Sequence, residues 1–226
     1  MDKEILVKTV QEARKAKQRK FKQSIDFIVN LKDADLKKPE YQLNYYQQLP
    51  HGRGKKVKVC IFCAPELLEQ AKSVCDKVIL LDEFDRYKKP EVRKIAEDYD
   101  YFISQSTAMP KVAGHFGRVL GPRGKMPDPK AGCVVPPNAN IKPLYDKLQS
   151  TIRIRVKNGP QIQCIVGTEE MDDNKIAENI LAVYDSVIHH LPGEKNNVKN
   201  MCVKFTMGNP ILIQEKQETV VKKKKK

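Results

Sequence analysis

The sequence predicts an α+β two-layer domain formed by both chain ends, with a three-layer α/β domain inserted between them. Three observations lead there. Alternating apolar and polar residues mark strands toward both termini, at Ser24 to Leu31 and at Met201 to Phe205. Between them, from Val57 to Ser150, short apolar runs alternate with helical patterns, which implies a parallel sheet with helices on its faces. Charge divides the same way: residues 1–56 carry 14 Lys and Arg against 7 Asp and Glu, residues 153–226 carry 13 against 9, and residues 57–152 carry 15 against 12. Most of the net charge of +14 therefore belongs to the two ends, as expected if they meet as one basic unit. The expected domains are 1–54 with 153–226, and 55–152.

Asp2 to Lys20 places Ile5, Leu6, Val10, Ala13 and Ala16 at helical spacing, with lysines opposite. In the strand that follows, Ile25, Phe27, Val29 and Leu31 share one face, and Ser24, Asp26, Ile28 and Asn30 the other. Residues 32–50 read as a polar loop ending in a short strand before the glycine-rich basic step Leu49-Pro50-His51-Gly52-Arg53-Gly54. That step is the expected first domain boundary.

The insert opens with a buried strand from Val57 to Ala64 and a helix from Pro65 to Cys75, with proline at a tolerated first position. A strand at Val78 to Leu81, a helix at Pro90 to Asp98 and a strand at Tyr99 to Ser104 follow. A helix from Met109 to Leu120, stopped at Gly121, leads into a loop, and another helix runs from Asn140 to Ser150. Alternation returns at Thr151: Ile152, Ile154 and Val156 share one face, Arg153, Arg155 and Lys157 the other. Asn158-Gly159 predicts a hairpin to a return strand at Ile162 to Val166. Asp172 and Asp173 offer caps to a helix carrying Ile176, Ile180, Leu181, Val183, Val187 and Ile188. The last strand turns Met201, Val203 and Phe205 inward and Lys204 and Thr206 outward, before a tail of five lysines that reads as disordered and adds non-specific RNA affinity.

Six cysteines without a signal peptide suggest reduced thiols in a cytoplasmic protein, and no apolar run approaches the roughly 20 residues that span a bilayer. Cys60 and Cys63 form a CxxC within a strand-like run, with no second pair at zinc spacing, so no metal is expected. Asp82, Glu83 and Asp85 read as a solvated loop. No histidine lies near a credible nucleophile motif, and the insert lacks GxGxxG or a Walker lysine loop after its first strand. A nucleotide-using enzyme remains the alternative, argued against by that missing fingerprint. No cofactor is expected.

The least core-like stretch, Leu120 to Gly132, reads LGPRGKMPDPKAG. Three glycines and three prolines constrain its backbone while Arg123, Lys125 and Lys130 project, which suits either an extended anion or a stiff solvated connector. The strands raise a second candidate. One sheet could gather Ser24 and Asp26, Arg153, Arg155 and Lys157, and Lys204 and Thr206 onto a polar face, with Phe21 available to stack on a sugar or base. An ordinary solvated face would read the same way.

Four motifs in order carry a resemblance over nearly the whole chain: Lys20-Phe21 before the first strand, Pro50-His51-Gly52, LGPRGKMPDPK, and Thr206-Met207-Gly208. Together they resemble the large-subunit ribosomal protein one family, found on the mobile stalk beside the tRNA exit site. The GRGK after the proline-histidine pair, the lysine of GPRGKMP and the short N-terminus resemble archaeal members.

The resemblance implies a non-enzymatic ribosomal protein whose split domain binds a stem of large-subunit rRNA and carries a Rossmann-like insert. It assigns rRNA contacts to Lys20, Phe21, Ser24, Asp26, Thr206, Met207 and Gly208, beside which the strand cations Arg155, Lys157 and Lys204 are added. Ser24 and Asp26 stand where many relatives have threonine and glutamate. Asp128 replaces a neutral or basic residue, which would soften the loop's positive potential. Arg118, Arg123, Lys125 and Lys130 are the expected RNA- or tRNA-facing cations of the insert, and Gly52, Gly54 and Thr151 the expected hinge. The implied partners are an rRNA stem, exit-site tRNA and the protein's own messenger, whose translation it would repress; no membrane is implied, and the protein is expected to be a monomer outside the ribosome.

Overall fold

A computed structural model describes residues 2–15, 19–32, 34–35, 37–156 and 159–213. Lys157, Asn158 and the lysine tail lie outside the described residues. The described contacts divide the chain into two units, Met1–Asn44 with Leu49–Gly54 and Ile154–Lys226, and Tyr45–Gln48 with Lys55–Arg153.

In the first unit, α1 (Lys3–Arg14), β1 (Ser24–Leu31), β8 (Gln161–Thr168), α6 (Asp173–His190), β9 (Val198–Phe205) and β10 (Ile211–Leu212) form a two-layer α+β arrangement. The strands pair antiparallel in the order β10-β9-β1-β8. One face of the sheet is apolar because the strand period is two: Ile25, Phe27 and Val29 of β1 point the same way as Ile162, Cys164 and Val166 of β8 and Met201, Val203 and Phe205 of β9, and all are buried. The two helices supply the other half of this core through Leu6, Val10 and Ala13 of α1 and Ile176, Ile180, Val183 and Val187 of α6. Helix α1 ends at Arg14, whose guanidinium pairs with Asp173 and donates to the carbonyls of Glu169 and Met171.

The second unit is a three-layer α/β arrangement. Strands β3 (Val59–Cys63), β4 (Lys77–Leu80), β5 (Tyr101–Gln105) and β6 (Val134–Val135) are parallel in the order β4-β3-β5-β6, a Rossmann-like start. Central strand β3 is buried on both faces, as a parallel sheet requires. Val59, Ile61 and Cys63 join the core shared with α2 (Leu68–Val74) and α5 (Ile141–Ser150). Cys60 and Phe62 join the opposite core, under α3 (Lys89–Asp98) and α4 (Met109–Arg123), where Phe62 meets the rings of Phe116, Phe84 and Phe102 at 4.8, 5.7 and 5.8 Å. The CxxC pair is thus split between two cores, and all six cysteines are free and buried.

Four expectations are corrected. The described strands on either side of Asn158-Gly159 do not pair with each other as a hairpin: β7 (Thr151–Arg155) pairs with β2 (Asn44–Gln48), while β8 pairs with β1 over seven residues. A turn signal marks a reversal but not the partner, and β1 offers β8 a longer apolar face to complete against α6. Helix α4 does not stop at Gly121. It continues through Pro122 to Arg123, and Gly124, at φ 67°, ends it with a Schellman pair of bonds, Gly124 N–H to Gly121 O at 2.9 Å and Lys125 N–H to Leu120 O at 3.0 Å. Tyr45–Gln48, expected with the chain ends, falls with the insert because Tyr46 packs on the α2–α5 core. Asp82, Glu83 and Asp85, read as a solvated loop, lie in a short 3-10 helix, Leu81–Arg86, that takes Leu81 from the expected strand and buries Phe84.

No helix among the described residues is long and apolar enough to cross a membrane, and no three of their His, Cys, Asp or Glu side chains cluster as metal ligands.

Candidate nucleic-acid interface

The sheet of the first unit leaves one face without a helix, and cross-strand pairing arranges it in rows. Asp26 lies directly between Ile165 of β8 and Lys204 of β9. The next row runs Gln163, Ile28, Cys202, Leu212, and the third Gln161, Asn30, Asn200. Gln163 Nε2 donates to Asp26 Oδ2 at 3.4 Å. Burial pushes the Asp26 carboxyl above its ordinary value, opposed by that hydrogen bond and by the Lys204 charge. An acid kept beside a lysine on a partly desolvated surface is an acceptor that a ribose hydroxyl or an exocyclic amine could use.

At the end of this face, β1 and β9 are closed by a turn built from Thr206-Met207-Gly208. Thr206 N–H donates to Ser24 O at 3.0 Å, and Ser24 N–H donates to Thr206 Oγ1 at 3.1 Å. Gly208 N–H returns to Phe205 O at 2.9 Å. Buried Gln23 locks the turn, its Oε1 accepting from Met207 N–H at 3.2 Å, while its own carbonyl accepts from Glu169 N–H at 3.0 Å. These bonds fix the backbone at Met207, which stands 59% exposed, and nearby in sequence Phe21 is 51% exposed, where solvent gives an apolar side chain nothing. Lys20 and Lys22 flank them, Lys22 in an exposed pair with Glu170 at 2.6 Å.

Of the expected anchor, Ser24, Asp26, Lys204, Thr206, Met207 and Gly208 come together on this sheet or its closing turn, with Lys20 and Phe21 on the segment leading into β1. Arg155 does not join them. It lies in the two-stranded β2–β7 ladder because β7 pairs away from the main sheet. Lys157 lies outside the described residues.

The insert's loop is more engaged than its sequence suggests. Lys125 is turned inward: its Nζ donates to Ala96 O at 2.8 Å and Tyr99 O at 2.7 Å, capping α3, and burial lowers its pKa. Arg123 pairs with Glu97 at 2.7 Å. Asp128 organises the loop rather than merely diluting its charge. Its Oδ1 accepts from Lys130 N–H at 2.9 Å, its carbonyl accepts from Ala131 and Cys133 N–H at 3.1 Å each, and its Oδ2 accepts from Tyr46 Oη at 3.3 Å. Arg153, 4.0 Å from Asp128, donates to Gly124 O at 2.5 Å and lies over the Tyr46 ring, whose hydroxyl burial pushes upward. Arg118 and Lys130 are exposed.

The expected hinge residues are also held. Gly54, at φ 73°, approaches Thr168 and Met171 so closely that a Cβ would stand 2.5 Å from Thr168 Oγ1. Gly52, at φ 65°, has its carbonyl bonded to Asn179 Nδ2 at 2.9 Å, and the buried Thr151 hydroxyl donates to Lys147 O at 2.7 Å.

The model of the "Ribosomal protein L1p/L10e family" matches residues 13–209. The chain belongs to that family. Large ribosomal subunit protein uL1 of Thermococcus kodakarensis is 42% identical over 217 residues, 94% of this chain and 98% of that protein. The protein of the same name from Pyrococcus horikoshii is 41% identical over 217 residues, 94% and 97%. That of Methanocaldococcus jannaschii is 40% identical over 220 residues, 96% and 98%. The match to the L1p/L10e family is thus of the archaeal type and runs through both units.

Within this L1p/L10e chain, the insert's strand order reverses between β3 and β5, the place where a nucleotide would bind in such a sheet. Buried Gln105 closes it, its Oε1 accepting from Ala64 N–H at 2.9 Å across the carboxyl ends of the two strands. Sequence reasoning missed that glutamine, and it missed Gln23 and Asn179. Asn179, fully buried, accepts from His51 N–H at 3.1 Å and donates to Gly52 O and to Val166 O at 2.8 Å, tying the Pro50-His51-Gly52 step to α6. The available signal was a polar residue on a helical apolar stripe: Asn179 falls three residues after Ile176 and four before Val183. Gln23, just before the strand, carried no such mark.

Proposed function

We propose that the chain is a structural constituent of the large ribosomal subunit, not an enzyme, and that it anchors on a stem of large-subunit rRNA through the helix-free sheet face. One observation carries this reading. The Asp26–Lys204 row runs into the Ser24–Thr206 turn, where Phe21 and Met207 stand exposed beside Lys20, so cation, carboxylate, hydroxyls and apolar tips converge on one edge. Lysines supply affinity for phosphate without sequence information, whereas Asp26 accepts from a 2′-OH or an exocyclic amine and so favours RNA over DNA. Membership in the family and the names of the relatives support the ribosomal assignment.

The finer parts of the reading follow from the same surfaces. Arg118, Lys130 and the solvent side of Arg123 meet tRNA leaving the exit site, while Lys125 keeps its structural post under α3. A similar stem in the protein's own messenger competes for the anchor, so excess free protein represses its own synthesis. The protein acts in the cytoplasm, as a monomer until it joins the ribosome. Nucleotide-using enzymology has no comparable support, since Gln105 occupies the switch point.

Binding of the full chain to an rRNA stem and to its DNA counterpart tests the anchor. Tight, salt-dependent binding of the stem, with selectivity over DNA that Asp26→Ala lowers, is expected. Equal binding of both nucleic acids by wild type and variant alike would remove Asp26 from the recognition.

A further inference from the structure

The helix-free face does not end at the Asp26–Lys204 row. Two residues along a strand advance about 7 Å, so the Asn30–Asn200 row lies about 14 Å farther on. Its chemistry changes completely. The two rows beyond Asp26 and Lys204 contain amides and apolar groups and no ionisable side chain except the Cys202 thiol: Gln163, Ile28, Cys202 and Leu212, then Gln161, Asn30 and Asn200. A surface without cations has little to offer a phosphate.

Asn30 Nδ2 donates to Asn200 Oδ1 at 2.6 Å across β1 and β9. Whichever way the two amides are turned, one N–H of one residue and one lone pair of the other are spent on each other. The pair is left with a free oxygen on one residue and a free NH2 on the other, and among the described residues neither has another partner. The bond also restrains both side chains, so a donor and an acceptor are held on the face before anything binds. A nucleobase edge with one donor next to one acceptor is the complement of this arrangement, and the N6–N7 edge of adenine is the one that asparagine fits best. Leu212, 53% exposed, sits one row away opposite Cys202 and offers an apolar surface for the flat of a base, with Gln161 exposed on the other side of the pair.

We infer that the Asn30–Asn200 pair reads an unpaired adenine of the bound RNA, two to three nucleotides from the phosphates held by the Lys204 end of the sheet. The inference rests on the anchor reading given under Proposed function and adds base identity to it. Anchoring at one end of the face and reading at the other makes the sheet selective for a stem with an adenine bulge or an unpaired junction adenine over a plain helix, whose base edges are paired away from such a surface.

The test uses the full chain and three RNAs: an rRNA stem with one unpaired adenine beside the helix, the same stem with uridine there, and the stem with the bulge deleted. Wild type should prefer the adenine stem to the uridine stem about tenfold. N30A and N200A should each erase that preference while leaving binding of the bulge-free stem within about twofold, and N200V, whose side chain can neither donate nor accept, should match them. Wild type showing no base preference, or any of the three variants keeping it, overturns the inference. Lys204→Ala should weaken all three RNAs alike; if it weakens none, the anchor reading is what fails.

Discussion

Asp26 carries a cost in the free protein that its proposed use would explain. Burial raises its carboxyl pKa, so the folded chain holds the proton more tightly than the unfolded chain does. The resulting stabilisation is complete below the ordinary value of 3.8 and is lost as pH rises through the raised one. Asp26→Asn should therefore melt higher than wild type at pH 7, and the gap should close as pH falls through the raised value and be gone below 3.8, while RNA selectivity drops; thermal melts across pH, with a binding titration, check both halves. The glycines of the basic step offer a second residue-scale contrast. Both sit at positive φ, but a Cβ at Gly52 meets nothing within 4 Å, whereas one at Gly54 meets Thr168 and Met171. Gly52→Ala should cost about 1 kcal/mol, from backbone strain alone, and Gly54→Ala about 2–4 kcal/mol, as overlap adds to strain. Equal costs in denaturant melts would mean that the neighbours of Gly54 yield easily. The Gly52-Arg53-Gly54 step could be recognised from sequence as a place needing glycine, but only the packing of β8 against it separates the two positions.

Among the elements, α3 depends on a residue that looked like a ligand-binding cation. Lys125 donates to the last carbonyls of α3, where a helix terminus leaves acceptors without intrahelical partners. Lys125→Met should lower stability by about 1–2 kcal/mol and increase amide exchange at Ile95 to Tyr99, with little effect on RNA affinity. A large loss of affinity without faster exchange would return Lys125 to the binding surface. Most elements were legible because a buried face leaves a periodic trace: β1, with Ile25, Phe27, Val29 and Leu31 on one side, is found over Ser24–Leu31 as read. The strands that escaped were β6 and β10, two residues each, too short for any period. The end of α4 was misplaced because Gly121 and Gly124 can both take a left-handed turn, and the helix runs on through Pro122 to the second of them.

Across the whole molecule, charge predicts how binding should respond to salt. If Lys20, Lys22 and Lys204 each neutralise a phosphate, the logarithm of the observed binding constant should fall linearly with that of salt concentration, and Lys204→Ala should reduce the slope by about one. Asn200→Ala should leave the slope unchanged, since an amide releases no counterion; filter binding from low to moderate salt separates the two. The α+β and α/β architectures, their assignment to chain ends and insert, and the motifs of the L1p/L10e family were all present in the linear chain, because hydrophobic periodicity and turn chemistry are local properties that survive without coordinates. Strand partners were not. β8 chose β1 over the adjacent β7, Arg155 left the anchor face as a result, and Asn30 found Asn200 across 170 positions. Pairing is settled by how much apolar surface each arrangement buries against α1 and α6, a sum over residues far apart in the chain that no local pattern contains.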